Sequence, residues 1–132
     1  MKEFPNILLV EEDEERRNEI KQLLLDEGLK VKAIPCRHGV EKQMLHEENI
    51  DVIMADVSNP NINITALRMS EKYKDDYAIV FIDRRTGVHK DKNFEARASE
   101  HVDAYIDEKS AQNDIYKATL TAMKRKLLIK AS

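Results

Sequence analysis

Five short apolar runs recur along the chain, and longer stretches with helical spacing of apolar residues separate them. The runs cover residues 7–10, 31–34, 52–55, 78–82 and 104–106. The first, third and fourth runs are continuously apolar, which is typical of strands buried on both faces of a parallel sheet. The second run alternates lysine with apolar residues, and the fifth is short. The pattern therefore predicts three central strands and two edge strands.

Helical patterns fill the intervals between these runs and follow the last one. We predict helices over residues 13–27, 38–48, 63–74, 92–100 and 111–128. Strict alternation of strands and helices implies an α/β fold, (βα)5, with helices on both faces of a parallel sheet. The flavodoxin-like, doubly wound strand order 2-1-3-4-5 places the second and fifth runs at the edges, as their patterns require. We expect residues 1–132 to form one domain.

Composition narrows the classes of protein that fit this fold. Of the 132 residues, 42% are hydrophobic and 36% are charged, and the net charge is −3. Acids and bases are interspersed without a basic block, which argues against nucleic-acid binding by this domain. No apolar run approaches the roughly 20 residues that a membrane span needs. The single cysteine, Cys36, suits a reducing compartment. We therefore expect a cytoplasmic domain without membrane contact.

Acidic side chains follow four of the five predicted strands. Glu11-Glu12-Asp13 follows the first run, Asp56 the third, Asp83 the fourth and Asp107-Glu108 the fifth. The carboxyl ends of parallel strands meet at one edge of a sheet, where sites in such folds lie. Carboxylate oxygens suit Mg²⁺, and a carboxylate beside such an ion can attack phosphorus to form an acyl phosphate. The pattern indicates a metal or phosphoryl site.

Two segments and the element order resemble the receiver domains of response regulators in two-component signalling. Residues 7–17, ILLVEEDEERR, resemble the opening strand and its metal-binding acidic pair. Residues 51–60, DVIMADVSNP, resemble the third strand, which ends in the phosphoacceptor aspartate with a proline four residues later. Residues 103–106, DAYI, resemble the start of the fifth strand with its aromatic switch residue. The resemblance covers essentially the whole chain.

The resemblance assigns a role to each matching position. Asp56 takes the phosphoacceptor position, and Tyr105 takes the aromatic switch position. A Mg²⁺ ion would be held by Glu11, Glu12, Asp56 and the backbone carbonyl of Ser58. Glutamates in the acidic pair are one methylene longer than the usual aspartates, which weakens the expected magnesium site because Mg²⁺ tolerates little distortion.

Three pocket positions depart from the family pattern. Asp83 stands where the family has a serine or threonine whose hydroxyl binds the phosphoryl oxygen. Glu108 stands where the family has a lysine that pairs with phosphate, and the proline that usually follows that lysine is missing. Two residues could substitute for the missing groups: Lys109, one residue after Glu108, and Thr86, in the loop after the fourth strand. Each does so only if the backbone departs from strand geometry. Each change to an acid is expected to disfavour phosphoryl binding, because like charges repel.

Basic residues occur in two short clusters near predicted helix ends. These are Arg84-Arg85 and Lys124-Arg125-Lys126. We interpret both clusters as solvated helix ends rather than as sites that recognise phosphate.

Three hypotheses of function follow. The first is an atypical or pseudo-receiver that acts through protein–protein contacts, with phosphorylation lost or weakened. Its partners would be a histidine kinase, an output domain or a second copy of the chain. They would bind the face of the fourth helix, fifth strand and fifth helix, where we expect Tyr105, Tyr116, Leu120 and Met123.

The second is a working receiver that a histidine kinase phosphorylates on Asp56 with Mg²⁺. The third is a small metal-dependent phosphohydrolase, disfavoured because the sequence has no Gly-rich phosphate loop. Under the first two, the domain is not a conventional enzyme.

Overall fold

Five parallel strands form one sheet in the order β2-β1-β3-β4-β5. The computed structural model describes residues 6–35, 45–46, 49–60, 62–85, 91–107, 117 and 119–126. The strands are β1 (Asn6–Val10), β2 (Lys30–Ile34), β3 (Val52–Asp56), β4 (Ala78–Asp83) and β5 (Ala104–Asp107). This is the predicted flavodoxin-like order, and each strand includes the apolar run that predicted it.

Burial of the strands follows the pattern of their side chains. All residues of β3 and β4 are buried, and in β1 only Asn6 is partly exposed. Lys30 and Lys32 of β2 point to solvent while the residues between and after them are partly or fully buried. The alternating run therefore lies at an edge, as predicted.

Helices connect the strands and pack on both faces of the sheet. They are α1 (Glu14–Asp26), α2 (Asn63–Tyr73), α3 (Lys92–Ser99) and α4 (residues 119–126). Asp13 caps α1 by accepting a hydrogen bond from the Glu15 amide, and Gly28 ends the turn after α1 at φ +85°. Of the helix predicted over 38–48, residues 45 and 46 are helical and the rest lies outside the described residues. None of the helices in the described ranges is long and apolar enough to span a membrane.

Two apolar clusters sandwich the sheet. Leu9 belongs to one cluster with Leu24 of α1 and Ala122 of α4. Leu8, on the opposite face, belongs to the other with Ala66 of α2. This alternation buries both faces and leaves the carboxyl edge of the sheet to polar residues.

The basic cluster of α4 is only partly solvated, which corrects the prediction for one of its members. The Lys126 ammonium lies 3.4 Å from the Asp103 carboxylate, and both side chains are largely buried. Lys126 also donates to the carbonyl of Lys74. Lys124 and Arg125 are exposed.

Candidate functional site

The carboxyl ends of β1 and β3 open into a cavity of about 330 Å³. Its lining comes from the β1–α1 turn, the β3–α2 loop and the residue after β4, namely Glu11, Glu12, Asp13, Asp56, Ser58, Asn59, Ile62 and Arg84. The structure thus brings together the predicted acidic pair, the predicted phosphoacceptor and Ser58.

Asp56, only 2% exposed, is held by contacts on both carboxylate oxygens. Its Oδ1 accepts from the Ser58 amide at 2.9 Å. Its Oδ2 accepts from Nε of Arg84 at 3.0 Å and lies 2.9 Å from a terminal nitrogen of the same guanidinium. Burial alone would raise the pKa of Asp56. Hydrogen bonds from Glu11 and Ser58 and the charge of Arg84 outweigh that effect and lower the pKa, so Asp56 is ionised at neutral pH.

The pKa of Glu11 is shifted in the opposite direction to that of Asp56. It is buried, and its Oε1 accepts from the Asp13 amide at 3.0 Å. Burial, followed by the hydrogen bond to Asp56 and the charge of Asp56, raises the pKa of Glu11 to about 8. Glu11 therefore carries a proton at neutral pH and donates it to Asp56. That proton accounts for the buried Oε2 atom, for which the residues that the structure describes offer no other hydrogen-bond partner.

Ser58 fixes the position of Arg84. The Ser58 hydroxyl accepts from the backbone amide of Arg84 at 2.8 Å, while its own amide binds Asp56. The β3–α2 loop and the end of β4 are thereby joined next to the carboxylate. The Arg84 side chain stays 35% exposed, at the cavity.

A second acid–base pair lies at the end of β4. Arg85 binds Asp83 through two parallel hydrogen bonds, from Nε to Oδ1 at 2.9 Å and from a terminal nitrogen to Oδ2 at 2.7 Å. The Tyr105 hydroxyl donates to Oδ2 of Asp83 at 2.6 Å. Burial would raise the pKa of Asp83, but the bonds from Arg85 and Tyr105 lower it. Burial and the bond to Asp83 raise the pKa of Tyr105 well above its ordinary value, so its hydroxyl keeps its proton.

Arg85 also links this pair to neighbouring elements. Its guanidinium lies 5.6 Å from the ring centroid of Phe94 in α3. When the Asn63 amide is oriented so that both of its ends find partners, a further Arg85 nitrogen donates to its side-chain oxygen at 3.2 Å. The Asn63 amide nitrogen in turn donates to the carbonyls of Val57 and Asn59 in the β3–α2 loop. One buried network therefore joins β4, β5, α3 and the loop after Asp56.

Several solved structures that match this architecture are receiver domains. A response regulator receiver domain from Clostridium thermocellum matches with a TM-score of 0.75 at 19% identity, over 96% of this chain and 99% of that one. The receiver domain of a modulated diguanylate cyclase from Desulfovibrio desulfuricans G20 matches with a TM-score of 0.76 at 18% identity, over 96% and 98% of the two chains. A CheY-like receiver domain from Methanospirillum hungatei JF-1 matches with a TM-score of 0.72 at 15% identity, over 93% and 96%.

The chain has the receiver-domain fold. No protein-family model and no curated protein matches the sequence. The chain thus shares its fold with these proteins, at a sequence identity of 15–19%.

Within the receiver fold, the structure divides the predicted pocket residues into two groups. Glu11, Glu12, Asp56 and Ser58 line the cavity, whereas Asp83 is absent from the lining and is turned into the network with Tyr105. Glu108, Lys109 and Thr86 lie outside the described residues.

Both arginines after β4 were misinterpreted from sequence as solvated. Arg84 lines the cavity, and Arg85 has a side chain only 10% exposed. The one sequence signal that bears on them is charge: two arginines directly follow a carboxylate at a strand end, where isolated buried acids are costly.

The residues do not fit a divalent cation as they are arranged. Both oxygens of Asp56 and one oxygen of Glu11 already accept hydrogen bonds, and the other oxygen of Glu11 holds a proton toward Asp56. Among the residues that the structure describes, no group of three acids, histidines or cysteines is arranged to hold a metal. A guanidinium takes the place next to Asp56 that Mg²⁺ was expected to take.

Proposed function

We propose that the chain is an atypical receiver domain of two-component signalling that acts through protein–protein contacts, with phosphorylation of Asp56 lost or weakened. The observation that carries this proposal is the Asp83 carboxylate, which holds the Tyr105 hydroxyl at 2.6 Å. The same proposal places the domain in the cytoplasm, as a single unit over residues 1–132, with a histidine kinase or an output domain as its partner.

Asp83 lacks what a phosphoryl-binding residue at this position supplies. The family resemblance implies a hydroxyl that donates to a phosphoryl oxygen. An ionised carboxylate only accepts hydrogen bonds, and both oxygens of Asp83 are already engaged by Arg85 and Tyr105. An incoming phosphoryl group would therefore find no donor here.

Tyr105 is held in place without any modification of Asp56. Its hydroxyl is bound to Asp83, and its ring packs edge-on against Phe81 with centroids 6.4 Å apart. Charge-assisted hydrogen bonds of this length are among the stronger ones in proteins. We therefore propose that the surface around α3 and β5 keeps one conformation, and that a partner recognises this surface constitutively.

Three of the four expected contact residues lie in the described part of the chain, and each is partly buried. Met123 packs against the core cluster of α1 and α4, and Tyr105 packs against the cluster on the other face of the sheet. Tyr116 lies outside the described residues. The contact face around these residues stays part of the proposal.

A phosphorylation assay tests the proposal. The full chain is incubated with a small-molecule phosphodonor over a Mg²⁺ titration, and its intact mass is measured by mass spectrometry. Asp56→Ala is the matched control. We expect no phosphoryl adduct on either protein while circular dichroism shows both folded. A Mg²⁺-dependent gain of one phosphoryl group on the wild type alone would contradict the proposal.

That opposite result would favour the second candidate, a working receiver. The lowered pKa of Asp56 supports this second candidate, because an ionised carboxylate is the form that attacks phosphorus. A second comparison, of Asp83→Ser with the wild type, isolates the part played by Asp83. Under our proposal the serine variant gains more adduct than the wild type.

A further inference from the structure

We propose that Arg84 is the resident cation of the Asp56 cavity and excludes divalent cations from it. This inference goes beyond the proposed function, because it concerns which cation neutralises Asp56 and holds whether or not Asp56 accepts a phosphoryl group.

The contact geometry engages both carboxylate oxygens of Asp56, and Oδ2 most fully. Two nitrogens of the Arg84 guanidinium share Oδ2, at 3.0 and 2.9 Å, and the Ser58 amide takes Oδ1. A Mg²⁺ ion binds carboxylate oxygen at about 2.0–2.1 Å and gives up its hydration shell reluctantly. It cannot approach Oδ2 that closely while the guanidinium is there.

The backbone keeps Arg84 at the cavity. The Ser58 hydroxyl accepts from the Arg84 amide, which anchors the residue beside the carboxylate that its side chain neutralises. A tethered cation competes as an intramolecular ligand, whose effective concentration for short connections is in the millimolar range or above. A free divalent ion has to overcome this advantage in addition to its own dehydration.

Removal of Arg84 would make the lining of the cavity more negative. Among the residues that the structure describes, the remaining lining includes four carboxyl groups, from Glu11, Glu12, Asp13 and Asp56, and no other basic side chain. With the guanidinium gone, the Asp56 carboxylate loses the positive charge that contacts its Oδ2 atom. A divalent ion is the ligand whose charge and oxygen preference suit that arrangement.

The test measures Mn²⁺ binding by electron paramagnetic resonance on the full chain, with Mg²⁺ as competitor. Mn²⁺ is the probe because it shares the oxygen ligands of Mg²⁺. The variants are Arg84→Met, Arg84→Met with Asp56→Asn, and Arg97→Met. The last removes one positive charge from the exposed surface of α3, where the side chain is 67% exposed. It therefore controls for net charge alone.

We expect Arg84→Met to bind Mn²⁺ roughly tenfold or more tightly than the wild type, a difference of one decade in Kd. The Asp56→Asn double variant and Arg97→Met should bind as weakly as the wild type. Equal affinities for the wild type and a folded Arg84→Met would overturn the proposal. So would a gain that Asp56→Asn fails to abolish, because the ion would then lie elsewhere.

Ser58→Ala provides a second variant that leaves the guanidinium in the protein. It removes the hydroxyl that anchors Arg84 and retains the backbone carbonyl and amide at position 58. We expect a smaller gain in Mn²⁺ affinity than for Arg84→Met, and no gain would refute the anchoring part of the proposal. Because the readout is cation binding, its failure is distinct from the appearance of a phosphoryl adduct, which would refute the proposed function.

Discussion

Arg84 and Arg85 are neighbours in sequence, and each pairs with an aspartate at the end of a central strand. Their aspartates are equally buried, with side chains 2% and 3% exposed. The arginines differ: Arg84 lines an open cavity at 35% exposure, whereas Arg85 is 10% exposed and packs against Phe94. One ion pair is therefore accessible to ligands and solvent, and the other is closed.

The comparison shows how the same two residue types take on different roles. Arg85 makes two parallel hydrogen bonds to two oxygens, and its neighbours Asn63 and Tyr105 complete a buried network. Arg84 places two of its nitrogens on a single oxygen of Asp56, and its side chain faces a cavity that solvent reaches. Burial of the arginine, rather than the identity of the pair, separates a structural contact from a candidate functional one.

The largest expected effect is on the closed pair. Arg85→Met leaves the Asp83 carboxylate buried without its counter-charge, and we expect the free energy of unfolding to fall by roughly 3 to 5 kcal/mol. Urea denaturation followed by circular dichroism measures this loss. The double variant with Asp83→Asn should recover most of it, since a neutral amide still accepts from Tyr105. A double variant as unstable as the single one would contradict our account of the pair.

The next effect is a pH dependence that comes from Glu11. Its pKa is about 8 in the folded protein against 4.5 ordinarily, so between these values the folded state binds more protons than the unfolded state. Stability is therefore greatest near the acidic end of this window and falls as pH rises through 8. Between pH 5 and 8 the decrease should be roughly 3 to 4 kcal/mol. Asp56 adds nothing here, because its lowered pKa lies below the window.

Thermal unfolding of Glu11→Gln between pH 5 and 8 checks this dependence. The glutamine cannot ionise, so its stability should stay nearly level across the window while that of the wild type declines. Parallel curves for the two proteins would show that Glu11 is not the group responsible.

The smallest expected effect is on the open pair. Arg84→Met should lower the free energy of unfolding by about 1 kcal/mol, because Asp56 keeps its bonds to Ser58 and Glu11 and because solvent reaches the cavity. The same urea titration measures it, beside Arg85→Met as the matched neighbour. A loss for Arg84→Met as large as that for Arg85→Met would remove the distinction between the two pairs.

The fold could be predicted from sequence because its signals are local. Continuous apolar runs gave β1, β3 and β4, and the alternation of Lys30 and Lys32 with apolar residues placed β2 at an edge. The acids at the start of α1 and Gly28 after it predicted a helix over residues 13–27, and α1 covers Glu14–Asp26. Such patterns depend only on which face of an element is buried.

The site was predictable only up to the positions of its acids. Glu11, Glu12 and Asp56 meet because parallel strands end at one edge, which is a property of topology. The directions of Arg84 and Arg85 depend on partners far along the chain, at positions 56, 63, 94 and 105. Nothing in the local sequence distinguishes an arginine that meets such partners from one that meets water, and for that reason the basic cluster was misinterpreted.

The lysines of β2 have a consequence for the protein at high concentration. β2 ends the sheet, so its outer backbone groups have no strand beside them in the sheet order. An open strand edge is a template on which another chain can add by backbone pairing and begin aggregation. Lys30 and Lys32 are both exposed on that strand, so any second copy approaching edge to edge would bring like charges together. The alternating lysines that mark β2 as an edge strand therefore also disfavour edge-to-edge pairing between two copies of the chain.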